Sequence, residues 1–299
     1  MFHRIKLNSD NGSRFQSLMF QNVYHRLNVR DQTGSIIAYG VEVDPIGSGA
    51  SRIPVGAIVA YLDLKSNVAE VLSLFITEPY RKQGLATALA HEVERDLQST
   101  SCHSLRFVYY AGKQNTAALE QFLSTRGWTT PVTEALIYHV DERIAQAAWL
   151  RERPLPARAT FFPWSELSAT DEQLLRSQEG TLYERFLSPF KSVGALASNS
   201  IGLRVEDHVV GWAINYQLSA SQILYDCIYV HPDYQHSGVA FQLLSHSIRL
   251  QLDQHIPKAL FTVNTTSHGM FTLAGRRLRP YAERISEKRV AYKTIRAEE

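Results

Sequence analysis

Along residues 1–150 the apolar positions switch repeatedly between two periods. HRIKL, IIAYGVEV, VGAIVAYLDL, EVLSLFI, LRFVYY and EALIYHV carry the alternation or short unbroken apolar run of strands. RFQSLMFQNVYHRL spaces Phe15, Leu18, Met19 and Val23 along one helical face, and LATALAHEVERDLQ, NTAALEQFL and DERIAQAAWL also read as helices. The plan then repeats. TFFPW reads as a strand, TDEQLLRSQEG and TLYERFL as early helices, and SIGLRV, VVGWAINYQL and ILYDCIYV as strands. VAFQLLSHSIRLQL reads as a helix, KALFTV as a strand, SHGMFTLAG as a helix and RVAYKTI as a closing strand. Each half therefore runs from antiparallel strands into a strand–helix–strand–helix unit, an α/β arrangement with a mixed sheet written twice. RERPLPAR separates the copies, since Pro154 and Pro156 break any helix there and the flanking charge suits an exposed connector. The expected division is a first domain over 1–150, a linker over 151–158 and a second domain over 159–299.

Composition narrows the function classes. The chain has 299 residues, with 31 basic and 29 acidic side chains, and a net charge of +2 gives no whole-chain case for binding nucleic acid or a membrane surface. Hydrophobic residues at 44% and charged residues at 20% let each half bury a core. No apolar run approaches the ~18 residues of a spanning helix, and MFHRIKLNSD lacks a signal-peptide stretch. Two cysteines, Cys102 and Cys227, exclude a disulfide scaffold and a cysteine-based zinc site. The expectation is a soluble cytoplasmic protein with reduced thiols and no metal.

The most informative motif occurs twice, each time after the strand that follows a hairpin. ITEPYRKQGLATAL and VHPDYQHSGVAFQLL share Arg/Gln-x-x-Gly-x-Gly/Ala, with Arg81, Gly84 and Ala86 in one copy and Gln235, Gly238 and Ala240 in the other. The offset is constant at 154 residues (238 − 84 and 240 − 86), and Tyr80/Tyr234 and Leu89/Leu243 keep the same register. A strand ends there, the chain turns tightly and a helix begins. The first N–H groups of that helix lack intrahelical partners and carry the positive end of its dipole, which makes a phosphate site. The glycines permit close backbone approach to an oxygen. One such hexapeptide could merely start a packed helix; two in matching context argue for phosphate binding.

On these residues the chain resembles the GNAT acyltransferase family, over both halves. The resemblance implies two tandem GNAT-like domains, each a mixed, mostly antiparallel sheet flanked by helices, using acetyl-coenzyme A. It implies coenzyme contacts from Phe75, Ile76, Arg81, Lys82, Gln83, Gly84, Leu85 and Ala86 in the first half. In the second half they are Tyr229, Val230, Gln235, His236, Ser237, Gly238, Val239 and Ala240. A further family feature is an Asn at the start of the next helix, here Asn115 in NTAALEQFLSTRGW and Asn264 in NTTSHGMFTLAGR, although Asn also serves as an ordinary helix cap.

In this family an amine attacks the acyl thioester directly. The strand before the loop splays from its neighbour and supplies backbone N–H groups to the oxyanion, here over Ser73 to Ile76 and Cys227 to Val230. The family's thiolate acid is a Tyr, but the corresponding positions are Leu123 and Phe271, which cannot donate; Tyr229 or water is left to do so. Candidate bases are Glu70, eleven residues before Arg81, and Asp226, nine before Gln235, where the position matching Glu70 is Leu224. Either carboxylate could instead be a strand-end group in an ion pair.

Other signals carry less. Gly47 and Gly49 precede no helix, so they form no dinucleotide fingerprint. His231, His236, His246 and His255 lack zinc spacing. Arg276, Arg277 and Arg279 could grip a coenzyme phosphate, but a solvated face is the commoner reading of such a run. The resulting expectation is a coenzyme A-dependent N-acyltransferase, foremost an acetyltransferase, acting on a small-molecule or peptide amine. The rival is a coenzyme-binding sensor or scaffold without turnover. An aminoacyl-tRNA-dependent transferase ranks third, lacking a basic surface for RNA.

Overall fold

The computed structural model describes residues 1–27, 33–45, 51–151, 155, 158–191 and 195–295, without the side chains of His236 and Ser237. Gly47, Gly49, Pro154 and Pro156 lie outside the described residues. The chain forms two compact units, Met1–Thr133 with Lys288–Glu299, and Glu134–Glu287.

The first unit contains β1 (Phe2–Lys6), α1 (Gln21–Arg26), β2 (Gly34–Val43), β3 (Ile53–Asp63), β4 (Val68–Ile76), α2 (Leu85–Gln98), β5 (Ser104–Tyr110) and α3 (Thr116–Ser124). β1 to β4 run antiparallel to their neighbours, and β4 pairs with β5 in parallel. Leu85, Leu89, Val93 and Leu97 fall at four-residue spacing on α2, and that stripe is buried against Ile58, Ala60, Val71 and Leu105 of the sheet. Each such leucine contributes about 1.5–3 kcal/mol by leaving water. Phe15, Leu18 and Val23 cover the opposite face over Ala38, Ala57 and Val59. RFQSLMFQNVYHRL is not one helix: a 3₁₀ turn spans Gly12–Leu18, α1 follows, and extended Phe20 (φ −66°, ψ 144°) separates them. The Phe15 ring packs on Gly40, where an added Cβ would meet it at 2.3 Å.

The second unit holds most of β6 (Val132–Val140), then β7 (Ala159–Pro163), α4 (Ala169–Gln178), β8 (Ala195–Leu196), β9 (Ile201–Val205), β10 (His208–Ser219), β11 (Gln222–Val230), α5 (Val239–Asp253), β12 (Lys258–Asn264), α6 (His268–Arg277) and the start of β13 (Ala282–Thr294). Its strands run in the order β6-β12-β11-β10-β9-β7, with β8 also on β10. DERIAQAAWL forms two 3₁₀ turns, Glu142–Gln146 and Ala148–Leu150, and TLYERFL supplies only the turn Arg185–Leu187. β13 is longer than RVAYKTI because ERISEK, polar and only partly buried, extends it backwards.

The closing strand of each sequence half sits in the other unit. β6 pairs antiparallel with β12, from Ala135↔Asn264 to Val140↔Ala259. Residues Lys288 to Thr294 of β13 pair antiparallel with β5. Apolar alternation marks both as half-buried strands but carries no information about the partner. Among the described residues no helix is long and apolar enough to cross a membrane.

Candidate coenzyme and acyl-transfer site

The site elements begin with a defect in the strand before each loop. In β4, Val59↔Ser73 is followed by Ala60↔Val71, so Leu72 is an extra, bulged residue. In β11, Ile214↔Cys227 is followed by Asn215↔Tyr225, so Asp226 is the bulged residue. Parallel pairing to the next strand stops at the same place. It ends at Val71↔Phe107 in the first unit and at Tyr225↔Phe261 in the second. Beyond those pairs, Leu72–Ile76 and Asp226–Val230 run on without a parallel partner, and a gap opens beside each strand. All of these positions repeat at the offset of 154 (226 − 72, 225 − 71 and 261 − 107).

At the carboxyl end of each gap the chain turns through a 3₁₀ segment, Glu78–Tyr80 or Pro232–Ser237, into α2 or α5. Gly84 and Gly238 are the N-caps, at φ 79° and 76°. Left-handed backbone is what demands glycine here, because an added Cβ would meet nothing within 4 Å at either position. Lys82 is also left-handed at φ 60°, a strained conformation for a non-glycine residue. Arg81 Nε donates to the Ile76 carbonyl at 3.0 Å, and Gln235 Nε2 donates to the Val230 carbonyl at 2.9 Å. These two side chains brace the loop against its strand end.

The other expected contacts divide between core and surface. Leu85, Val239, Ile76 and Val230 have buried side chains, so only their backbones can face a ligand, whereas Phe75 is exposed and lies within 5.9 Å of the Arg81 guanidinium. Ala86 and Ala240 are partly buried against their cores. Gln83 is exposed, and its Nε2 donates to the Pro79 carbonyl at 3.1 Å. Asn115 is the N-cap of α3, although its side chain makes no capping bond. Asn264 does not begin a helix: it ends β12, and Ser267 caps α6. Tyr229 is buried, stacked on Trp212 at 4.4 Å, with its hydroxyl donating to the Leu182 carbonyl.

The candidate bases have different surroundings. Glu70 sits opposite Arg106 of β5, with Arg106 Nε 3.2 Å from Glu70 Oε2, and its side chain is 36% exposed. Asp226 is more buried, at 18%, and accepts from Lys191 Nζ at 2.6 Å. Burial, followed by the Asp226 charge, pushes the Tyr216 phenol up to about 12, and burial pushes the Cys227 thiol up to about 12. Leu123 is fully buried, and Phe271 is an exposed residue of α6.

Sequence reasoning missed Lys191, which belongs to no motif, and although it matched Glu70 to Leu224 it carried the offset no further along the strand. Carried two residues on, the same offset matches Asp226 to Leu72. It would also have drawn attention to a buried polar network in the second unit. There Tyr225 donates to Gln251, and Asn199 and Asn215 bond Ser247. In the first unit the offset places Val71, Leu97 and Val93 at the positions of Tyr225, Gln251 and Ser247. Among the described residues no group of three or more His, Cys, Asp or Glu could hold a metal ion.

Comparison with solved structures shows the fold. A tandem GNAT protein from the clavulanic acid biosynthesis pathway aligns over 100% of both chains with a TM-score of 0.73 at 12% identity. A GCN5-related glucosamine N-acetyltransferase region of a fungal multi-domain GH3 β-N-acetylglucosaminidase aligns over 98% of this chain and 38% of its own, with a TM-score of 0.64 at 11% identity. A GCN5-related N-acetyltransferase from Sphaerobacter thermophilus aligns over 84% of each chain, with a TM-score of 0.51 at 16% identity. No curated protein sequence matches the chain. The model of the acetyltransferase (GNAT) family matches residues 6–128 and again 158–275. With both halves matched, the chain belongs to the acetyltransferase (GNAT) family.

Proposed function

We propose that this protein is an acyl-coenzyme A-dependent N-acyltransferase, with acetyl-coenzyme A as donor and a primary amine of a small molecule or peptide as acceptor. The observation that carries the reading is the duplicated geometry: a bulged strand, a gap beside it, and a helix capped by left-handed glycine at the end of the gap. The residues fit such a donor. Space is open at Gly84 and Gly238, helix-start N–H groups suit a pyrophosphate, and the gaps suit an extended pantetheine arm. When bound, the donor supplies a thioester carbonyl ready for attack.

In this reading the second unit does the chemistry. Asp226 takes the proton of the incoming ammonium, because it is the more buried carboxylate and stands where the gap opens. Backbone N–H groups of Cys227–Val230 stabilise the oxyanion. No side chain at Phe271 protonates the leaving thiolate, and water does so. The first unit, with Leu72 at its bulge and Glu70 tied to Arg106, serves as a second coenzyme-binding unit.

Incubation with acetyl-coenzyme A and a panel of amines, followed by release of free thiol, tests this reading. Amine-dependent release that is lost in Asp226→Asn supports it. Binding with no release favours a coenzyme-binding sensor, a second reading favoured by the ion pairs on both carboxylates and by the apolar residues Leu123 and Phe271.

A further inference from the structure

The segment before residue 192 is laid across the bulge of β11 and fixed there. Trp212 Nε1 donates to the Leu187 carbonyl at 2.9 Å, the Cys227 thiol lies 3.5 Å from the same oxygen, and the Tyr216 hydroxyl donates to the Lys191 carbonyl. The backbone so held delivers the Lys191 ammonium to Asp226, with Nζ 2.6 Å from Oδ2 and the two side chains 27% and 18% exposed. Asp226 is both the bulged residue and the first residue past the last parallel pair. A primary amine of the chain itself therefore occupies the position the reaction requires of an acceptor: on the candidate base, at the mouth of the gap. Among the described residues the first unit has no such pair at its bulge: the bulged residue is Leu72, and the carboxylate nearby is paired with a guanidinium.

We propose that Lys191 is an acyl-acceptor site of this protein, acetylated by the protein's own acetyl-coenzyme A. The inference rests on the acyltransferase reading above. In the step, Asp226 takes one proton from the Lys191 ammonium and the freed amine attacks the thioester carbonyl. The C–N bond forms and the C–S bond breaks. The thiolate leaves and is protonated by water, and the second amine proton goes to solvent. The products are an N-acetyl-lysine at Lys191 and free coenzyme A. The amide carries no charge, so the ion pair with Asp226 is lost.

The test compares two reagents on the full chain by peptide mass spectrometry. In the absence of coenzyme, an N-hydroxysuccinimide ester of acetic acid should label Lys191 more slowly than the exposed Lys65, Lys113 and Lys258, because its ammonium is half-buried and ion-paired. Asp226→Asn should remove most of that protection. With acetyl-coenzyme A the order should invert. Lys191 should label at least tenfold faster than the exposed lysines, at a rate independent of protein concentration, and Asp226→Asn should abolish the excess while calorimetry shows the coenzyme still bound. Acetyl-coenzyme A that binds wild type yet leaves Lys191 no more labelled than Lys65 overturns this inference alone. Failure of wild type to bind acetyl-coenzyme A overturns the acyltransferase reading with it.

Discussion

Placing one negative charge at each helix cap gives a sharp test of phosphate binding, provided the backbone effect is cancelled. Gly84 and Gly238 sit at φ 79° and 76°, where an L-residue costs about 1–2 kcal/mol, with Asn and Asp at the low end. Neither position has a heavy atom within 4 Å of a new Cβ, so no steric term is added. The Gly84→Asn/Gly238→Asn protein and its Asp counterpart therefore carry the same conformational penalty and nearly the same shape, and they differ by one charge per site. With the carboxylate at about 5 Å from a pyrophosphate oxygen and an effective dielectric of about 20, each like-charge pair costs about 3 kcal/mol. That corresponds to about two orders of magnitude in Kd. Titration calorimetry with acetyl-coenzyme A at fixed ionic strength reads the difference, and thermal melts check that both proteins are equally folded. Equal affinities in two equally stable variants would refute the claim that these helix starts hold the phosphates.

Three other outcomes follow from the same geometry. Asp226→Asn should lower kcat by about 10²–10⁴ with the Kd for acetyl-coenzyme A unchanged, whereas Glu70→Gln should change kcat by less than tenfold; the reverse ranking in steady-state assays would move the chemistry to the first unit. Phe271→Tyr puts a hydroxyl on an exposed residue of α6, and turnover should rise if thiolate protonation limits the rate, as stopped-flow thiol detection will show. Tyr183, Tyr216 and Cys227 hold their protons to about pH 12 in the folded protein, against ordinary values of 10.0 for the phenols and 9.0 for the thiol. Because these folded values are raised, their contribution to stability is complete below pH 9 and is lost between pH 9 and 12. The melting temperature should fall across that window, and Cys227 should resist iodoacetamide at pH 8 until the protein is unfolded.

Strong local periodicity made much of the fold legible. LATALAHEVERDLQ is α2 residue for residue, since Leu85, Leu89, Val93 and Leu97 face one core. Two features defeated the pattern. Phe15, Leu18 and Val23 reach one core through a 3₁₀ turn and a short helix as readily as through a single long helix, because the three-residue and 3.6-residue periods coincide over so few turns. The partners of β6 and β13 depend on tertiary pairing, which alternation does not encode. At the candidate site the glycine caps were readable because φ restricts residue type. The bulges were not, because Leu72 and Asp226 share no chemistry; only their common distance from the loop connects them. Lys191 was invisible for a similar reason: it meets Asp226 because Trp212 holds the Leu187 carbonyl and Tyr216 the Lys191 carbonyl, contacts between residues distant in sequence.

The central claim is that each unit builds a coenzyme site from the same elements. Native mass spectrometry of the full chain with acetyl-coenzyme A tests it most directly. Wild type should carry two bound coenzymes at saturation, Gly84→Asp and Gly238→Asp one each, and the double variant none. A wild-type spectrum with fewer than two coenzyme adducts at millimolar acetyl-coenzyme A, or adducts unchanged in the double variant, would contradict it.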